Sequence, residues 1–143
     1  MGKEEQALVR LVLDTNVLVS ALLFRSRTSV LLDAWLRGDF RLAVSEPILA
    51  EYSRVLVYPK FCLGEEEVAS IVGELVLPYC DRFVPREEPL VCPDPDDDKF
   101  FHCAEVADAA ALVSGDRAVL ACRYRHVRVL TVGQALDRFC REP

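Results

Sequence analysis

Several functional signatures are missing from this chain. No apolar run reaches the roughly 20 residues that a membrane-spanning helix needs, and the opening MGKEEQALVR carries no apolar signal-peptide core, so a cytoplasmic protein is expected. Basic residues are outnumbered, with 17 Lys and Arg against 23 Asp and Glu and a formal charge of −6. That sign excludes a broad basic surface for holding nucleic acid, so any such binding needs local basic patches, a metal or a partner to offset it. There are only two histidines, and neither forms a His–Ser or His–Cys pair of recognisable spacing, which removes the usual grounds for an activated side-chain nucleophile. The six cysteines stand at 62, 80, 92, 103, 122 and 140 with no C-x-x-C pair. They match no zinc pattern and are expected as mostly buried free thiols. Repeats, low-complexity tracts and long linkers are also absent, which points to one domain over 1–143 with its core at about 8–140.

What is present is an alternation of short apolar runs with amphipathic ones. Leu8, Val9, Leu11, Val12 and Leu13 form a near-continuous apolar run broken only by Arg10. Such a run suits a central parallel strand covered on both faces. Further strands are expected at 40–44, 110–114 and 126–131, with a short edge strand at 82–85. Helices are expected from 15 on, over 29–37, from 46 on, from 64 to Pro78, over 98–107, 117–124 and 132–140, and residues 1–6 read as a polar lead-in. Strands that alternate with helices call for an α/β fold, a mostly parallel sheet with helices on both faces.

The chemistry-bearing residues sit at strand ends and helix starts. Asp14 ends the first strand and Asp116 follows the strand at 110–114. Asp98 falls in the first turn of the helix before that strand, and Glu51 lies about two turns into the helix after the second. In open α/β sheets ligands bind at the carboxyl ends of strands, so these four acids can converge on one crevice. Each also has a plain structural reading: Asp14, Asp98 and Asp116 as helix caps or dipole partners, Glu51 as a solvent-facing residue. If they do converge, two charges about 4 Å apart repel by roughly 4 kcal/mol at an effective dielectric near 20. A hard cation, Mg²⁺ or Mn²⁺, is the natural relief for an oxygen-only set. Asn16 and Ser114 can hold a carboxylate, a water or a phosphate by hydrogen bonding, while Arg25, Arg27, Lys99 and Arg117 are the basic residues nearest in sequence to the acids.

LVLDTNVLVSALL, SEPILAEYSRVL and DPDDDKFFHCAEVADAAALVSGD, in that order, resemble the PIN-domain ribonucleases, and most of all the VapC-like branch of toxins from toxin–antitoxin pairs. The resemblance runs from Leu8 to about Phe139. It implies a parallel sheet of strand order 3-2-1-4-5, with Asp14, Glu51, Asp98 and Asp116 as metal-binding acids and Asn16 as a supporting catalytic residue. It further implies a Mg²⁺- or Mn²⁺-dependent endoribonuclease acting on single-stranded or structured RNA, often a homodimer, inhibited by an antitoxin protein. Two positions depart from the pattern. Ala118 stands where a further acid is usual, and His102 replaces a small residue four positions after Asp98. A packed or surface role is the simpler reading for His102, beside metal ligand or general acid. The other reading of the whole chain is a PIN-fold protein-binding module with weak or lost nuclease activity. A haloacid-type phosphatase ranks lower, because it needs an acid where this chain has Asn16.

Overall fold

The structure is a computed structural model that describes residues 8–86 and 89–141. The polar lead-in expected at 1–6 lies outside the described residues. Five strands, β1 (Arg10–Leu13), β2 (Arg41–Val44), β3 (Cys80–Arg82), β4 (Ala111–Val113) and β5 (Val129–Leu130), form one sheet in the order β3-β2-β1-β4-β5. All neighbours are parallel, as the resemblance implied. Successive side chains on a strand point to opposite faces. Leu11, Val12 and Leu13 are all buried, so both faces of the central strand are covered.

Among the described residues seven α-helices surround the sheet: α1 (Thr15–Leu23), α2 (Arg27–Arg37), α3 (Glu46–Leu56), α4 (Glu65–Ser70), α5 (Asp98–Val106), α6 (Arg117–Ala121) and α7 (Val132–Phe139). α5 packs on β1, β2 and β4, while α7 packs on β4, β5 and α2. The main core joins the sheet to Trp35, Tyr52, Phe100 and Phe101, and a smaller cluster of Val19, Leu56 and Val68 ties α1, α3 and α4 together.

Several boundaries differ from expectation, each for a local reason. α2 begins two residues before 29 because Ser26 caps it, accepting from the Thr28 N–H while Ser29 Oγ closes back on Ser26. It ends at Gly38, whose left-handed φ of 94° is a conformation favouring glycine. Beyond α4 the chain winds as a π-helical stretch, Ile71–Val76, and a 3₁₀ turn, Leu77–Tyr79. Pro78 thus halts the helix beside the sheet, and β3 forms at once, earlier than the 82–85 expected. α6 stops at Ala121 rather than 124, and β5 is shorter than 126–131, because Arg125 turns with φ of 50° beside a Tyr124–Val127 bridge.

Candidate active site

The register of the sheet brings the first acid to its partners. Leu13 pairs with Val113 across β1 and β4, so Asp14 and Ser114 are the next residues out on neighbouring strands. The Asp14 N–H donates to the Val113 carbonyl at 3.1 Å. Asp14 Oδ1 accepts from the Val17 N–H at 3.0 Å and so caps α1. Its Oδ2 accepts from Ser114 Oγ. The Ser114 hydroxyl in turn accepts from the Asp116 N–H at 3.0 Å, which links β4 to the cap of α6, where Asp116 Oδ1 accepts from Ala118 N–H at 2.8 Å. Asp14 is therefore both a helix cap and a buried acid at the strand end.

Glu51 reaches the same edge from α3. Tyr52 seats that helix by donating its hydroxyl to the Leu13 carbonyl at 2.5 Å. Glu51 Oε2 then accepts from Thr15 Oγ1 at 2.5 Å. Its Oε1 has no hydrogen-bond partner among the described residues, but it faces the Lys99 ammonium at 2.7 Å and Arg54 at 3.7 Å as ion pairs.

Burial, opposed in part by the hydrogen bonds from Ser114 and Val17, raises the pKa of Asp14; the negative charges of Asp116 and Glu51 add to the rise. Asp97 is pushed up to about 6, first by burial and then by the charges of Asp94, Asp116, Asp14 and Asp96. Three of the four acids expected here, Asp14, Glu51 and Asp116, thus share one electrostatic field, and Asp97 joins it.

Asp98 is engaged elsewhere. Its Oδ1 accepts from the Cys92 N–H at 2.7 Å and its Oδ2 from the Val91 N–H at 3.2 Å, so this buried carboxylate pins the loop that precedes α5. The sequence reading assigns no site role to Asp97, nor to Thr15, the residue that holds Glu51. The signal available for Thr15 was its place in the D-T-N run.

Asn16 is exposed at the second position of α1 and lines a shallow groove with Ser20, Phe24, Lys60 and Phe61. Lys99 lies between Glu51 and the Asp96 carbonyl, at 2.7 and 2.5 Å. Arg25, Arg27 and Arg117 are exposed. His102 is buried on α5, its Nε2 2.7 Å from the Pro89 carbonyl and its ring edge-on to Tyr124. All six cysteines are free, four of them buried.

The donor set tests which cation the residues suit. Among the described residues no three His, Cys, Asp or Glu side chains stand close enough to cage a metal ion. Zn²⁺, which is held by a closed set of nitrogen and sulfur ligands, does not fit. Mg²⁺ and Mn²⁺ do, since every donor is oxygen and Mg²⁺ takes one or two carboxylates and keeps its waters. The neighbouring carboxylates that add to the raised pKa of Asp14 and Asp97 are the physical sign of an edge short of positive charge. No helix among the described residues is long and apolar enough to cross a membrane.

The family model described as PIN domain matches residues 10–118. No curated protein matches. Among solved structures, FitAcB from Neisseria gonorrhoeae superposes with a TM-score of 0.54 at 19% identity, covering 86% of this chain and 98% of that one. At that identity the likeness speaks for the fold.

Proposed function

The chain belongs to the PIN domain family, and on that premise we propose that it is a metal-dependent endoribonuclease, the toxin of a toxin–antitoxin pair. PIN domains are generally nucleases that use divalent metals. The observation that carries the reading is the shared field of Asp14, Asp97 and Asp116, none of which has a Lys or Arg ion pair among the described residues.

In this reading one or two of the carboxylates Asp14, Glu51, Asp97 and Asp116 would hold Mg²⁺ or Mn²⁺ directly and the others would reach it through its waters, and Asp97 takes the place expected for Asp98. When bound, the cation supplies positive charge against the phosphate and lowers the pKa of water. The chain's own groups do the rest. Val17 and Ser114 fix both oxygens of Asp14, and Thr15 and Lys99 orient Glu51. Asp97, pushed up to about 6 by burial and by its acidic neighbours when no cation is bound, would add its charge to the pull of Asp14 and Asp116 on the cation. Asn16, beside Thr15, contacts the RNA phosphates together with Arg25, Arg27 and Arg117.

The test is cleavage of a single-stranded RNA with Mn²⁺ and with excess chelator. Cleavage only with metal supports the proposal; equal cleavage in both, or none in either, counts against it. The proposal extends to an antitoxin partner, a homodimer and a cytoplasmic site of action. The second reading, a protein-binding module with weak catalysis, draws on the net acidic charge and on Ala118, which gives its N–H to Asp116 but offers no carboxylate. It gains if Asp14→Asn leaves the growth effect of expression unchanged.

A further inference from the structure

We propose that the groove beside the acids holds one unpaired nucleobase of the RNA, next to the bond that is cut. The inference rests on the nuclease reading above and names how that site takes its substrate. The groove has a volume of about 570 Å³ and runs between the start of α3, the chain after β3 and the start of α5, a size that suits a small ligand. Pro47, Ala50, Phe83 and Leu90 give it mostly apolar walls. Ser45, in its lining, is 2% exposed, and its Oγ has no hydrogen-bond partner among the described residues. It occupies the cap position of α3 without capping it.

Apolar walls with one uncommitted hydroxyl suit the face and edge of a base. A hydroxyl both donates and accepts, and it has three staggered positions from which to meet a ligand. Phosphate suits the groove less well. Its cations Arg54 and Lys99 are already paired with Glu51 at 3.7 and 2.7 Å, Glu46 and Asp96 line it as exposed acids, and Pro47 removes an N–H from the first turn of α3, so the helix end is a poor cradle for an anion. Lys99 makes the connection to the chemistry, because it lines the groove and its Nζ stands 2.7 Å from Glu51. A strand whose phosphate meets the acids therefore places an adjoining base here. Recognition of splayed, unstacked bases is the usual route to sequence preference in single-stranded RNA.

The experiment is fluorescence anisotropy in excess chelator with seven-nucleotide RNAs. The RNAs are identical except at one position, scanned along the strand, which carries each of the four bases or none. At one position the best base binds about tenfold or more tightly than the abasic strand. Ser45→Ala and Leu90→Asp each erase most of that ratio, and Leu36→Asp on α2 keeps it. Leu90 is 84% exposed, so its variant reports on the groove even if Ser45→Ala fails to fold. The proposal is overturned if no strand binds, if the abasic strand binds equally at every position, or if the ratio survives in both groove variants. A groove that serves a protein partner instead gives no base-dependent ratio that the groove variants erase. Base-dependent binding without Mn²⁺-dependent cleavage would sink the nuclease reading and leave the base site standing.

Discussion

Asp81 and Asp97 are both partly buried acids near the sheet, and they are treated in opposite ways. Asp81 on β3 lies between Arg10 at 2.9 Å and Arg41 at 3.0 Å. Burial alone would raise its pKa, but the hydrogen bonds from Arg41 and Arg10 outweigh it and hold the carboxyl below its usual range. Asp97 has burial and four neighbouring acids, and its pKa rises to about 6. Glu51 stands between the two in its partners alone, with the Lys99 ammonium 2.7 Å away. The lesson is one of division: the carboxylate that fastens strands together is given its cations within the chain, and those at the strand ends are left with charge for something else to neutralise.

The largest effects should come from removing charge at the strand ends. Asp14→Asn and Asp97→Asn are each expected to slow Mn²⁺-dependent RNA cleavage on the order of 100- to 1000-fold, the range for loss of one charge-stabilising group. Asp81→Asn should leave the rate within about twofold and lower the melting temperature instead, since it weakens charge-assisted hydrogen bonds. Equal activity losses at 81 and 97 would erase the distinction. The second effect is metal stabilisation. With the cation at about 100 times its dissociation constant, unfolding should cost about 2.7 kcal/mol more in the wild type. Asp14→Asn should lose most of that gain and Asp81→Asn should keep it, as read by thermal melts with and without Mn²⁺.

A third prediction separates two adjacent residues. Asp98→Ala leaves the Val91 and Cys92 N–H groups without an acceptor, a cost of about 2 kcal/mol. Asp97→Ala in metal-free protein should keep or raise the melting temperature, because it relieves repulsion. If position 98 proves neutral to the fold and position 97 damaging, their roles here are reversed.

That pair also marks where the sequence stopped being legible. The buried run before Asp14, the alternation of strand and helix, and the meeting of Asp14 with Glu51 and Asp116 could all be read, because long-range burial and strand ends dictate them. The DPDDD run could not be resolved. Neighbouring residues at a helix start point about 100° apart, and the 3₁₀ turn Pro95–Asp97 sets which carboxylate faces the sheet and which the loop. No composition rule fixes that phase. The π-helical stretch at Ile71–Val76 was equally hidden, since its apolar spacing reads as an ordinary helix.

The smallest expected effect is in pH dependence, and its sign is opposite for the two acids. The folded pKa of Asp97, about 6, exceeds the roughly 3.9 of an unfolded chain. Between those values the native state binds more protons than the unfolded one, so this group's contribution to stability falls as pH rises through the window. Asp81 behaves in reverse: its stabilisation is present above the ordinary carboxylate pKa and is lost as pH falls through its lowered one. Asp97 is only partly buried, so solvent screening holds its share to about 1 kcal/mol or less. Melting in chelator at pH 4 and pH 7 should show Asp97→Asn gaining on the wild type at the higher pH, while Asp81→Asn loses ground over the same interval. With Mn²⁺ present, protons and metal compete for Asp97, so the cation's stabilisation should weaken as pH drops through 6. A metal effect flat from pH 7 to pH 5 would mean that the carboxyl at 97 stands apart from the cation, and that Asp14 and Asp116 hold it without help from α5.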